Sequence, residues 1–289
     1  MFTSFDFHIT PEGPRLIEIN TNAAGALLVD ALERFNQIDS PLPPFIPAIR
    51  QMFETVFAEG HRIAIVDEDP HTQKTRFEFK MVAGLLESWG WNVRICAPDT
   101  LNWNGQSLTD CAGHRFDGIY NRSCDFELQS PISQSLKIAF EQGFRISPHP
   151  DEYRRIADKR KLGEFATMDH RLIKQWIPPI IEVASCDRDW LWSHRKGLFF
   201  KPIGSYGSKA AYKGDRISRK TFESLWSQPM IAQQYAPPAT TLVNDVEFKY
   251  DIRVYTFAGK IQLVGARLFQ GQVMNFKIQG GGFAPIHWV

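Results

Sequence analysis

Phe199-Phe200-Lys201-Pro202-Ile203-Gly204-Ser205-Tyr206-Gly207-Ser208-Lys209 sets a lysine inside an apolar strand and follows it with a loop of small residues. A buried ammonium is expensive unless something nearby shares its charge. The Gly/Ser loop can bring backbone N–H groups close to an anion. Together they suit the holding of a polyphosphate, although an edge-strand lysine before a surface loop would look the same. There is no G-x-x-x-x-G-K-[ST], so the stretch is not a P-loop.

Outward from this stretch, the C-terminal part reads as β-rich. Met230 to Tyr235, Tyr250 to Phe257 and Lys260 to Phe269 have strand character, and Tyr255 to Ile261 carries a hairpin signal. Asp251 and Arg253 share one strand face, and Arg267 follows across the hairpin. Inward arginines suit planar recognition of phosphate or carboxylate, and a structural Asp–Arg pair is the alternative. Tyr153 to Phe165 reads as a charged helix.

Residues 48 to 150 alternate strand and helix. The expected strands are His61 to Val66, Asn92 to Cys96, Gly118 to Arg122 and Arg145 to Ser147; the helices are Phe77 to Trp89 and Pro131 to Gln142. That rhythm predicts a parallel α/β sheet. No G-x-G-x-x-G follows its first strand, which disfavours a dinucleotide site. Arg122 ends a strand where open α/β sheets bind ligands, so it could clamp a substrate carboxylate; pairing with Asp125 is the alternative. The first 40 residues predict two strands, Phe5 to Ile9 and Arg15 to Asn20, then a helix over Ala26 to Phe35. The Pro-rich Ser40 to Pro47 reads as a linker or loop. Glu18 and Asn20 face the same way, with Asp6 on the other half of the hairpin. Two carboxylates and an amide form a hard oxygen set suited to magnesium; a polar strand face in water is the alternative.

Composition narrows the class. Of 289 residues, 33 are basic and 32 acidic, so no global field points to nucleic acid or an anionic membrane. The longest uncharged stretch, Ser224 to Asn244, contains three prolines and is no membrane span. The N-terminus lacks the basic and apolar regions of a signal peptide. Four cysteines without paired spacing predict reduced thiols and a cytoplasmic setting.

The motifs in order resemble the ATP-grasp superfamily. Lys201-Pro202, the Ser205 to Ser208 loop, Gln233-Gln234-Tyr235, Asp251-Ile252-Arg253-Val254, Arg267, Asn275 and Gly281-Gly282 run as in the ribosomal-protein glutamate ligases. The D then E-x-N that finishes those ligases stands at the other end, as Asp6 and Glu18-Ile19-Asn20. The chain is therefore similar to a circularly permuted ATP-grasp protein, as in glutathionylspermidine synthases. It departs from them in having Ser4 where they have an arginine.

The resemblance implies an α/β (α+β) fold in three parts: 1–40 as the permuted final element, 48–150 as an α/β pre-ATP-grasp domain, and 151–289 as the ATP-binding subdomains. It implies ATP and Mg2+ as cofactors. Lys159, Lys201, Ser205, Tyr206, Gly207, Ser208, Gln233, Gln234 and Tyr235 would contact the nucleotide. Asp6, Glu18 and Asn20 would hold the metal, and Arg267 and Arg253 would stabilise charge during transfer. Arg122 and Asn275 would touch a small-molecule or peptide substrate. The activity implied is ligation of a carboxylate to an amine through an acyl phosphate. An ATP-grasp kinase and an ATP-binding module without catalysis are the competing expectations.

Overall fold

The computed structural model describes residues 2–58, 60–204, 210–272 and 281–288. Between residues 60 and 150, the strands Asn92–Cys96, Arg62–Val66, Gly118–Asn121 and Ile146–Ser147 form a parallel sheet in that order. Ile63 to Val66 are wholly buried, as a central strand covered on both faces must be. Ile63 and Ile65 pack against helices Phe45–Val56 and Arg76–Ser88, and Ala64 and Val66 against helix Gln134–Glu141.

Helix Phe45–Val56 begins inside the expected Pro-rich linker, and the linker reading is corrected there. Pro47 falls in the first turn, where helix N–H groups have no intrahelical partner and a proline removes nothing. Phe45, Ile49, Met52 and Phe53 then supply one buried stripe. The expected helix Tyr153 to Phe165 is likewise two pieces. A wide-turned segment, Tyr153–Ala157, ends at Asp158, whose carboxylate accepts the Arg160 N–H and starts helix Lys159–Ala166.

Two antiparallel sheets follow. The smaller has the order Ile180–Glu182, Met230–Gln234, Leu198–Pro202, Tyr212–Lys213. The larger runs Gly282–Pro285, Lys260–Phe269, Val246–Phe257, Thr3–Thr10, Gly13–Asn20, with Ala239–Val243 also paired to Val246–Phe257. The hairpin between its long strands turns at Ala258 and Gly259, whose φ values of 49° and 75° are what a tight two-residue turn requires. Residues from both ends of the sequence meet in this sheet: Thr3 pairs with Thr256 and Phe7 with Ile252.

One apolar cluster joins Phe2 and Leu27 to Phe53 and Phe79 of the parallel-sheet region and to Tyr255 and Leu263 of the large sheet. Glu78 locks the same junction. Its carboxylate accepts the Gly25 N–H at 2.8 Å and the Leu27 N–H at 3.3 Å, capping helix Ala26–Phe35 from a distant helix. Gly25 has φ 94°, and the Phe283 ring occupies the space a side chain would need. Among the described residues, no helix is long and apolar enough to cross a membrane.

Glu33 is a liability in this framework. Its Oε1 is buried without a hydrogen-bond partner among the described residues. Burial, with Asp30 beside it, raises its pKa above the ordinary 4.5. Because the folded value is the higher, stabilisation from the bound proton is complete below about pH 4.5 and is lost as pH rises through the folded value. Glu33→Met should therefore gain about 1 kcal/mol in urea unfolding at pH 7.5, with the gain shrinking towards pH 4.

Candidate active site

A cleft of about 270 Å³ lies between the small and large sheets. Lys201, on strand Leu198–Pro202, reaches across it. Its Nζ donates to the Ile17 carbonyl at 2.9 Å and to Gln233 Oε1 at 2.8 Å. Burial pulls its pKa down to about 8, against the opposing charge of Glu18. Lys159, released into the cleft wall by the helix break at Asp158, has its Nζ 3.7 Å from Glu18 Oε1 and 3.5 Å from the Ile203 carbonyl. Gln233 to Ala236 form another wall. The Gln234 and Tyr235 N–H groups donate to the carbonyls of Pro179 and Gly197, both at 2.8 Å. The rings of Phe199 and Tyr235 lie near parallel, 6.3 Å apart.

Strand Gly13–Asn20 turns Glu18 and Asn20 to the cleft. Behind them, Asp6 is wholly buried and stands opposite both Glu18 and Arg253. Arg253 donates to its two oxygens at 2.7 Å each, and Arg267 donates to Oδ2 at 2.8 Å. Arg267 also grips Asp251 with two bonds, at 2.7 and 2.8 Å. Burial alone would raise the Asp6 pKa, but the two guanidinium groups outweigh it and hold the carboxyl below its usual value.

Neither a protein-family model nor a curated protein matches the sequence. Solved structures do. The chain aligns over 94% of its length with 76% of a protein from Methylobacillus flagellatus KT provisionally described as a gamma-glutamylcysteine synthetase, at 14% identity and a TM-score of 0.57. It aligns over its whole length with 76% of a glutathione synthetase-like effector from Globodera pallida, at 10% identity and a TM-score of 0.59. The fold is the ATP-grasp fold.

Within this fold, Glu18, Asn20, Lys159, Lys201, Gln233, Gln234, Tyr235, Arg253 and Arg267 all line one cleft. Two expected site residues do not. Asp6, expected to bind metal, sits behind the wall with both oxygens taken by arginines, because the strand register puts Arg253 directly across from it. Arg122, expected to clamp a substrate, is also turned inward. Its guanidinium donates to Asn22 Oδ1 at 2.6 Å and to the Ala23 carbonyl at 3.0 Å, with Glu78 3.8 Å away. It thereby braces Asn22, which does line the cleft. Ser205, Tyr206, Gly207, Ser208 and Asn275 lie outside the described residues.

The sequence reading missed His8. Its Nδ1 donates to the Ala236 carbonyl at 2.6 Å, joining the first strand to the wall formed by Gln233 to Ala236, and burial lowers its pKa. Its position two residues beyond Asp6 on one strand was the available signal.

The donors present suit a hard cation. Asn20 Nδ2 donates to Asp6 Oδ2 at 3.1 Å, and since a carboxylate only accepts, the amide oxygen is the end left over. With the Glu18 carboxylate it makes two oxygen donors at the cleft, and one or two such protein groups are what magnesium on a polyphosphate would need. Among the described residues, no three His, Cys, Asp or Glu side chains cluster to hold a metal by themselves.

Proposed function

We propose that the chain is an ATP-dependent carboxylate–amine ligase using Mg2+. What supports this is the convergence of two lysines, a carboxylate, an amide and the Gln233 to Tyr235 wall on one cleft of an ATP-grasp fold. Lys159 and Lys201 offer ammonium groups to phosphates, and Glu18 and Asn20 offer oxygens to the cation. Arg267 and Arg253 stand where charge would be redistributed when a phosphoryl group moves to the carboxylate. Closure of the cleft would keep the acyl phosphate from water until the amine attacks. In this reading residues 1–40 are the permuted final element, 48–150 contribute to substrate binding, and 151–289 carry the ATP-binding subdomains. The carboxylate is peptide- or amino-acid-like, and the setting is cytoplasmic.

The test is a paired screen of carboxylates and amines with ATP, reading ADP release and product mass. ADP formed only when both partners are present, with a product lighter by one water than their sum, is expected. Phosphorylated acceptor as the final product would instead identify a kinase.

One observation favours a second reading, an ATP-binding module without catalysis. Ser4, where the resembling synthases have an arginine, is wholly buried and its Oγ has no partner among the described residues. ATP binding without turnover across the screen would establish that reading.

Glu18→Gln separates the cleft chemistry from the fold. The Glu18 side chain is 32% exposed, so the variant should melt within a degree or two of the parent. Loss of the formal charge should weaken magnesium-dependent ATP binding by about 10-fold or more, read by calorimetry.

A further inference from the structure

We propose that Asp6 is a positioning residue, holding Asn20, Arg253 and Arg267 in place, while the cation is held by Glu18 and Asn20. The inference rests on the nucleotide and magnesium reading of the cleft and departs from the ligand set that the sequence resemblance implies.

The geometry of Asp6 carries it. Its two oxygens accept bonds from Arg253 Nε, one terminal nitrogen of each arginine, and Asn20 Nδ2. Oδ2 accepts three of these bonds and Oδ1 one, so the carboxylate is held through the two-point grip of Arg253 and a crowded Oδ2. The group is wholly buried and does not line the cleft, whereas Glu18 and Asn20 do. Because Asp6 does not line the cleft, reaching a cation there would turn its carboxylate out of the two-point grip of Arg253 that compensates its burial, among arginines whose side chains are themselves only 8% and 7% exposed.

The same contacts give Asp6 work at a distance. It orients the Asn20 amide oxygen-outward. It ties Arg253, on the strand opposite, to Arg267, one strand further, so both cleft arginines are set by one anchor. Arg253 stands directly across from Asp6 and supplies the guanidinium beside the carboxylate that Ser4, two residues away on the same strand, does not provide.

Manganese(II) with ADP is the probe, read by electron paramagnetic resonance as free against bound ion. Loss of an outer partner that orients a metal ligand typically weakens binding 10- to 100-fold. Asp6→Asn should therefore lose about 10-fold in manganese affinity, and that loss should vanish in an Asn20→Ala background because it acts through Asn20. Glu18→Gln should lose affinity in either background. A loss in Asp6→Asn that persists undiminished beside Asn20→Ala would make Asp6 a ligand and overturn the proposal. Should Asp6→Asn fail to fold, a crystal of the parent protein with manganese and ADP decides through the anomalous signal. Metal on Glu18 and Asn20, with Asp6 still gripped by Arg253, supports the proposal; metal bonded to Asp6 overturns it. No bound manganese in the parent, with or without ADP, would instead remove the magnesium reading on which the proposal stands.

Discussion

Arg267→Ala is expected to lose stability and turnover together. The guanidinium bridges Asp6 and Asp251, both almost fully enclosed. Its removal leaves Asp251 without its two charge-assisted bonds and Asp6 with Arg253 and the neutral Asn20 amide. Breaking a buried pair by deleting one partner costs about 3–5 kcal/mol, so the melting temperature should fall by roughly 10 °C. The second loss is chemical. An arginine that stabilises charge in phosphoryl transfer can be worth on the order of 10³ in rate, so ADP release per folded molecule should fall by about that factor. Adding Asp251→Asn separates the two, since neutralising the stranded carboxylate should restore part of the stability and none of the rate. A double variant that recovers both would confine Arg267 to bracing.

Lys201→Met should weaken ATP binding by about 10- to 100-fold, the range for lost hydrogen bonds to a charged group. It should also remove a pH dependence. With its pKa at about 8, Lys201 in the empty cleft begins to lose its proton just above neutrality. An anionic ligand favours the ammonium form, so binding takes up a proton above pH 8, and affinity falls by up to about 10-fold per pH unit from there towards 10. For stability the sign is opposite. A lysine whose folded pKa lies below the ordinary 10.5 opposes folding while charged, and that penalty is relieved as pH rises from 8 to 10.5. Calorimetric titrations at pH 7, 8 and 9 should show the slope in the parent and a flat profile in Lys201→Met. A parent profile flat across this range would mean that the ammonium is not what the ligand meets.

Much of this cleft was legible because strands alternate. Glu18 and Asn20 had to share a face, as did Asp251 and Arg253, and the order of motifs brought both ends of the sequence to one site. What was hidden depended on register between distant strands. Nothing local says that Arg253 stands opposite Asp6, yet that pairing turns an expected metal ligand into an anchor. Arg122 was misplaced for a related reason. A strand end points at ligands in general, but here the Ala23 carbonyl and the Asn22 side chain arrive first from another part of the fold. The helix missed at Phe45–Val56 shows how proline misleads: only its position within the first turn decides whether it breaks anything.

The pairing of Thr3–Thr10 with Val246–Phe257 also sets an order of assembly. The first strand finds its long partner only across some 250 residues of sequence, so closing that loop costs entropy that few early contacts repay. The parallel sheet between residues 60 and 150 makes its contacts at shorter range and can form first. During synthesis, the opening hairpin leaves the ribosome with its polar edge uncovered and waits for residues 246–257 to emerge, at about 5–20 residues per second. For that interval, on the order of ten seconds or more, the unpaired edge of Thr3–Thr10 is open to other chains. Expression at lower temperature, or with a chaperone that shields unpaired strands, should therefore change the yield of soluble protein more than its final stability.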